Sequence, residues 1–327
     1  MLGVETQPNV AYRDRGGYFF LQMIVVRDLQ LRLRGRHVED WTQDERAQTM
    51  RCYQACFDEL EGHLKRAEAD GRIVFVKEHA GFMTEPTAQT RFLFGQDSVK
   101  ESPWTVQVPS TYGPGTHSSL NETVMPDEFL QTWRPTFLIR HPALVFPSHY
   151  RTIRDTEGAE VAGTEESYMA LNMTMHWSRT PYDWYTQHFG GSGSEPDGGV
   201  TWPLVVDADD MMAQPEMVAP LCEIVGMDAA RLPFSRETVS EEDQAQQSPV
   251  ERRMRDTLNA SVGVVEGKTW TGLDVAAEAK KWREEFGQRD GESMGRWVRA
   301  AMADHEFMRA RRPRPRPDRG RGSGRAV

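Results

Sequence analysis

Gly71-Arg72-Ile73-Val74-Phe75-Val76-Lys77-Glu78-His79 decides the architecture. Four consecutive apolar residues, three of them β-branched, read as a short strand of the buried, parallel-sheet kind. The run stops abruptly at Lys77-Glu78-His79. Upstream, the spacing predicts a helix from about Thr42 to Ala69. Thr42 and Glu45 form a capping box, and Met50, Tyr53, Phe57, Leu60, Leu64 and Ala67 recur at intervals of three and four. Gly71 ends that helix. Two later stretches repeat the grammar. Thr136-Phe137-Leu138-Ile139 leads into Arg140-His141-Pro142 and an apolar helix. Trp202-Pro203-Leu204-Val205-Val206 leads into Asp207-Ala208-Asp209-Asp210, then a helix carrying Val218, Leu221, Cys222 and Val225 and stopped by Gly226. Strands alternating with helices predict an α/β fold with a mainly parallel sheet. In such sheets ligands gather at the carboxyl ends of the strands. Those ends carry Lys77 and His79, then Arg140, then Asp207.

Composition excludes several classes. The 327 residues are 38% hydrophobic and 27% charged, ordinary for a globular protein, and no apolar run approaches the roughly 18–20 residues that span a bilayer. Three cysteines, Cys52, Cys56 and Cys222, make neither a disulfide framework nor a zinc pair, so Cys52 and Cys56 read as small core residues. The first residues lack a basic segment followed by an apolar core, which predicts a reduced, cytoplasmic setting. The formal charge of −10 is unevenly spread. Residues 309–327 carry +7, which leaves −17 for the body. That Arg/Pro/Gly stretch reads as a disordered, solvated tail, and an acidic body argues against a specific nucleic-acid partner.

Residues 1–308 are read as one α/β domain. Residues 96–125, rich in Pro, Ser, Thr and Gly, predict a long loop or lid, and residues 190–199 a surface connection. Between them, 165–189 predicts a helix or bent helix pair whose Tyr168, Trp177, Tyr182, Trp184 and Tyr185 belong to the core rather than to a ligand wall.

Two constellations carry chemistry. Lys77 and His79, two apart at a strand end, share a side, and together they suit transfer of an anionic group to a hydroxyl. The histidine titrates near working pH and can take the acceptor proton, while the lysine offsets charge on the transferred group. Arg140 leaves the next strand, with Ser148 eight residues on. A guanidinium fork and a hydroxyl near a helix start can hold a phosphomonoester. His141 and His149 lack a carboxylate set and read as local hydrogen-bonding residues. No metal site is expected.

Strand-Lys-x-His, then strand-Arg with Ser eight on, then the strand, acidic turn and Pro-led helix of Leu204 to Pro215 resemble the P-loop sulfotransferase family over roughly residues 60–290. The resemblance is closest to the fungal sulfotransferase-like P-loop proteins. It implies a P-loop NTPase-like three-layer fold. It also implies 3′-phosphoadenosine 5′-phosphosulfate as co-substrate, a small-molecule hydroxyl acceptor and no membrane partner. By position His79 is the implied base, Lys77 stabilises the sulfuryl group, and Arg140 and Ser148 bind the 3′-phosphate. Gly267, Lys268 and then Trp282 loosely match the family's late glycine/basic segment, which adds Lys268 to the phosphate ligands. The family's first strand and its 5′-phosphosulfate loop are not found. Residues 1–8 read as the exit from an earlier helix that no strand precedes, and no glycine- and hydroxyl-rich loop appears before Lys77. The alternative is therefore a nucleotide-binding pseudoenzyme of the same fold. Gly263 to Thr269 imitates a nucleotide phosphate loop, but the glycines are one residue too close and no strand precedes them.

Overall fold

A computed structural model describes residues 2–13, 17–158, 166–191, 201–233, 240–245 and 269–313, with 247, 252–253, 255–256 and 259. The fold is α/β and mostly helical, with short parallel ladders. Strands are β1 (Val10–Tyr12), β2 (Ile73–Phe75), β3 (Thr136–Ile139) and β4 (Leu204–Asp207). The helices are α1 (Gln43–Ala69), α2 (Ala80–Met83), α3 (Pro86–Phe94), α4 (Asp127–Leu130), α5 (Pro142–Glu157), α6 (Glu166–Asn172), α7 (His176–Gly191), α8 (Ala208–Ala213), α9 (Val218–Ile224), α10 (Glu241–Ala245), α11 (Val275–Phe286) and α12 (Gln288–Arg309).

The expectation of one parallel sheet needs correction. Among the described residues the strands form two separate parallel pairs, β1 with β2 and β3 with β4. Val10 faces Ile73 and Tyr12 faces Phe75, while Thr136 faces Leu204 and Ile139 faces Asp207. The pairs still share a core: Val10, Tyr12 and Phe75 cluster with Val206 and with Val218 and Cys222 of α9. Full burial of the strands also fails, since Leu138 is 62% exposed and Ile73 40%.

A first strand is present, contrary to the sequence reading. Val10 and Ala11 are buried, and the carbonyl of Asn9 accepts the Ile73 amide at 2.9 Å. Three residues flanked by Asn9 and Arg13 give no apolar run, so periodicity cannot announce them. Residues 4–6, expected as a helix exit, form a 3₁₀ turn that leads into β1. Any phosphate loop after β1 would run through 14–16, which lie outside the described residues.

The capping box at Thr42 and Glu45 starts α1, which buries Tyr53, Cys56, Phe57 and Leu60. The predicted bent pair is α6 and α7, and Tyr168, Trp177, Tyr182, Trp184 and Tyr185 are all buried. Residues 96–125 contain almost no regular structure yet are firmly packed. Val106 donates its amide to Val124, Thr84 bridges to Thr123, and Val106, Val124 and Met125 are buried. Helix α12 runs through Arg309, and Arg312 pairs with Asp210, so the first residues of the expected tail join the fold. Residues 314–327 lie outside the described residues. No described helix is long and apolar enough to cross a membrane.

Helices α11 and α12 form a hairpin turned at Gly287, which sits at φ 87°. Their contact has no room for a side chain at Gly291. A Cβ there would lie 2.5 Å from the Cα and N of Arg283. Gly291→Ala therefore forces backbone apart, at a cost of about 1–3 kcal/mol that exceeds the roughly 1 kcal/mol of helix propensity gained. Gly295→Ala meets only the movable guanidinium of Arg299 at 3.2 Å and should be neutral or stabilising. Urea unfolding of the two variants checks this; equal stability of both would contradict the packing.

Candidate active site at the ends of the strands

Beyond β2 the chain carries Lys77, Glu78 and His79 into α2, whose N-cap is His79. The segment leaving β1 folds over this turn. Gly17, at φ 82°, accepts the Lys77 amide through its carbonyl at 3.3 Å, and a Cβ on it would touch the Lys77 side chain at 3.4 Å. One Glu78 oxygen accepts the amides of Phe19 and, at 3.0 Å, Phe20. Phe19 and Phe20 are buried, so this carboxylate ties two chain segments together from inside.

Lys77 and His79 meet on one ring. Tyr18 stacks on the His79 imidazole at 5.3 Å and 16°, its hydroxyl lies 3.2 Å from Nε2, and Lys77 Nζ sits 5.0 Å from its ring centroid. Phe82 closes edge-on against His79 at 4.9 Å. His79 keeps an accessible surface, yet desolvation by the surrounding protein, and then the Lys77 ammonium, hold its pKa below the ordinary imidazole value. That shift favours the neutral imidazole.

Arg140 leaves β3, and its Nε lies 3.7 Å from Asp209 Oδ1. His141 caps α5 by accepting the Ala143 amide at its Nδ1, 3.1 Å away. Two turns along α5, Ser148 is exposed. Its neighbour His149 reaches toward His79: burial pushes its pKa down to about 4, and the nearby His79 imidazole adds to that push. Helix α5, entered from Arg140 through the His141 cap, thus passes beside the β2 turn. Lys268 lies outside the described residues. Two positions on, Trp270 donates its amide to Asp209 Oδ2 at 2.9 Å, on the carboxylate that faces Arg140. Arg309 lies over the Trp270 ring at 4.0 Å with its Nε 3.4 Å from Asp207.

Tyr18, Glu78 and Arg309 were missed by sequence reasoning, and His149 was read as a local hydrogen-bonding residue. Gly16-Gly17 before three aromatics was a signal of close backbone approach. Nothing in the sequence marks Arg309 as different from the arginines after it. Among the described residues, no group of three or more His, Cys, Asp or Glu side chains is placed to hold a metal.

Burial raises the Glu78 pKa to about 7, opposed by the amides of Phe20 and Phe19. A raised native pKa means that the native state holds its proton more tightly than the unfolded chain. Glu78's contribution to stability is thus full below about pH 4.5 and lost as pH rises through 7. Glu78→Gln keeps an oxygen for the two amides and removes the titration. The variant should match the parent near pH 4.5 and exceed it by about 1–2 kcal/mol at pH 8, a figure discounted for partial exposure. Chemical denaturation across pH 4.5–8 measures this; a constant difference would remove Glu78 as the titrating group.

The chain is 44% identical over 313 residues, 95% of its length and 91% of the relative's, to sulfotransferase ppzF of Metarhizium rileyi. It is 43% identical over 314 residues, with the same coverage, to sulfotransferase ppzF of Metarhizium majus. Neither a protein-family model nor a solved structure matches it. Identity of that extent along nearly the whole of both chains shows that this chain belongs to a sulfotransferase family.

Proposed function

We propose that this chain transfers a sulfuryl group from 3′-phosphoadenosine 5′-phosphosulfate to a hydroxyl of a small organic acceptor, on a P-loop-like α/β scaffold. The observation that carries this reading is the meeting of Lys77 and His79 on Tyr18, at the end of a parallel strand and against the glycine backbone of the segment leaving β1. Lys77 makes no ion pair among the described residues, which suits a group awaiting an anion. When bound, the donor supplies an electrophilic sulfur and a phosphate leaving group.

His79, kept neutral by its surroundings, takes the acceptor proton at Nε2. Lys77 offsets the charge that grows on the sulfuryl and bridging oxygens. Tyr18 stacks on one face of the imidazole and Phe82 packs edge-on beside it, which fixes the orientation of the ring. Arg140 and Ser148 hold the 3′-phosphate, with Lys268 as a further ligand. Gly17 brings glycine backbone to the 5′ end, a role the sequence reading assigned to no residue. As in phosphoryl transfer, positioning and electrostatics supply most of the acceleration.

A second reading, nucleotide binding without turnover, is favoured by one contact. Arg140 already faces Asp209, so a phosphate must share that guanidinium with a carboxylate. Calorimetry with adenosine 3′,5′-bisphosphate and with the intact donor separates the readings, since an enzyme also releases product.

His79→Ala should lower turnover of the donor, with 4-nitrophenol as probe acceptor, by about 10²–10⁴-fold while leaving bisphosphate affinity nearly unchanged. Arg140→Ala should weaken bisphosphate binding at least about tenfold, the value of one charge-assisted hydrogen bond. Undiminished turnover in the first variant would take His79 out of the reaction; undiminished affinity in the second would take Arg140 out of the nucleotide site.

A further inference from the structure

The hydroxyl held on His79 belongs to the chain itself. Tyr18 places its phenol oxygen 3.2 Å from Nε2, the distance at which a general base takes a proton. Its ring stacks on the His79 imidazole at 5.3 Å and also meets Phe82 at 6.0 Å, with the Lys77 ammonium 5.0 Å from its centroid. The backbone that delivers it is pinned on both sides. Arg13 Nη1 donates to the Tyr18 carbonyl at 2.7 Å, and Glu78 holds the two following amides. Three other phenols of the fold are committed elsewhere: Tyr53 donates to the Thr84 carbonyl, Tyr150 to Asp290 and Tyr185 to the Leu130 carbonyl. Thr180 also approaches an imidazole, that of His176, but this ring is already engaged by Glu122 at 2.7 Å. A phenol, moreover, parts with its proton more readily than an aliphatic hydroxyl.

We propose that Tyr18 is a sulfation site of this chain, its phenol taking the acceptor's place at His79; the inference rests on the transfer chemistry proposed above. The phenol oxygen bonds to the donor sulfur as the bond between that sulfur and the oxygen bridging the 5′-phosphate breaks. His79 takes the phenol proton at Nε2 and passes it to water. The products are a tyrosine O-sulfate and adenosine 3′,5′-bisphosphate, and nothing is oxidised or reduced. The new monoanion lies beside Lys77, where charge pairing retains it. Retention covers the base, so the reaction stops at one sulfate per chain, and only a chain so modified is closed to other acceptors.

The full chain is incubated with 3′-phosphoadenosine 5′-phosphosulfate and no added acceptor, digested and read by mass spectrometry. The peptide containing Tyr18 should gain one SO₃ at a rate independent of protein dilution, with at most one per chain. Tyr18→Phe, which keeps the ring, should abolish the gain, and His79→Ala should slow it at least about a hundredfold. A second readout needs no nucleotide: in Tyr18→Phe the Nε2 resonance of His79 should move in the NMR spectrum, because it loses its hydrogen-bond partner. Adenosine 3′,5′-bisphosphate binding, measured by calorimetry, separates the two levels of the argument. Bisphosphate binding without SO₃ on Tyr18, or SO₃ gain that survives Tyr18→Phe, overturns the sulfation site and leaves the transfer reading standing. Absence of bisphosphate binding overturns that reading, and this inference with it.

Discussion

A single carboxylate holds the candidate site together. Glu78 sits between Lys77 and His79 and turns away from them, accepting the amides of Phe19 and Phe20. The β1–β2 pair spans three residues on each strand, too short a ladder to position the chain beyond its ends. Past Tyr12 and Phe75 the two segments are held by Glu78 and by the contact of Gly17 with Lys77. Placing a carboxylate among buried aromatics is unfavourable unless it is hydrogen-bonded. Two amides offset part of that cost, and the pKa near 7 reports the part left over. The stability given up there fixes Tyr18 against His79, the strain-for-position exchange that functional sites tend to show.

The second half of the site is organised by charge of the opposite order. Asp207, Asp209 and Asp210 crowd the end of β4 and the first turn of α8, where carboxylates suit a helix N-terminus. Three arginines from distant parts of the chain answer them: Arg140 to Asp209, Arg309 to Asp207 and Arg312 to Asp210. Burial raises the Asp207 pKa, so its ionised form needs that partner. The end of α12 is thus part of the fold's electrostatic framework. It brings Trp270, which lies just after the glycine/basic segment, under Arg309 and onto Asp209.

The fold class, the long helix, the bent aromatic pair and three of the four strands were legible because each rests on a run long enough to show a period. Thr42 and Glu45 announce α1 by themselves. The features that failed to show were short or nonlocal. Val10-Ala11-Tyr12 becomes a strand only because Ile73 and Phe75 lie beside it, and a polar Asn9 and Arg13 mask it in the sequence. The single sheet was overread, since alternating strands and helices specify direction but not how many strands join. Lys77 and His79 were legible as a pair from their spacing. Tyr18, roughly sixty residues earlier, was not, because its role depends on a tertiary approach that no local pattern encodes. Arg309 was assigned to a tail by composition, though an apolar face on α12 carries the helix through it.

The two charge patterns bear on how an anionic substrate reaches such a site. The chain carries a formal charge of −10, so at long range it repels a nucleotide bearing several negative charges. At physiological salt that repulsion decays within about 8 Å. Inside this distance the local arrangement governs: Lys77 stands against an aromatic ring with no ion pair among the described residues, whereas Arg140 is shared with Asp209. An arriving phosphate at Arg140 must compete with a carboxylate, and one at Lys77 meets, among the described residues, the weaker attraction of an aromatic face. Under the transfer chemistry proposed above, affinity is tempered at the Arg140 end and charge is left available at the Lys77 end. Interactions reserved for the reacting centre raise rate rather than merely tighten binding.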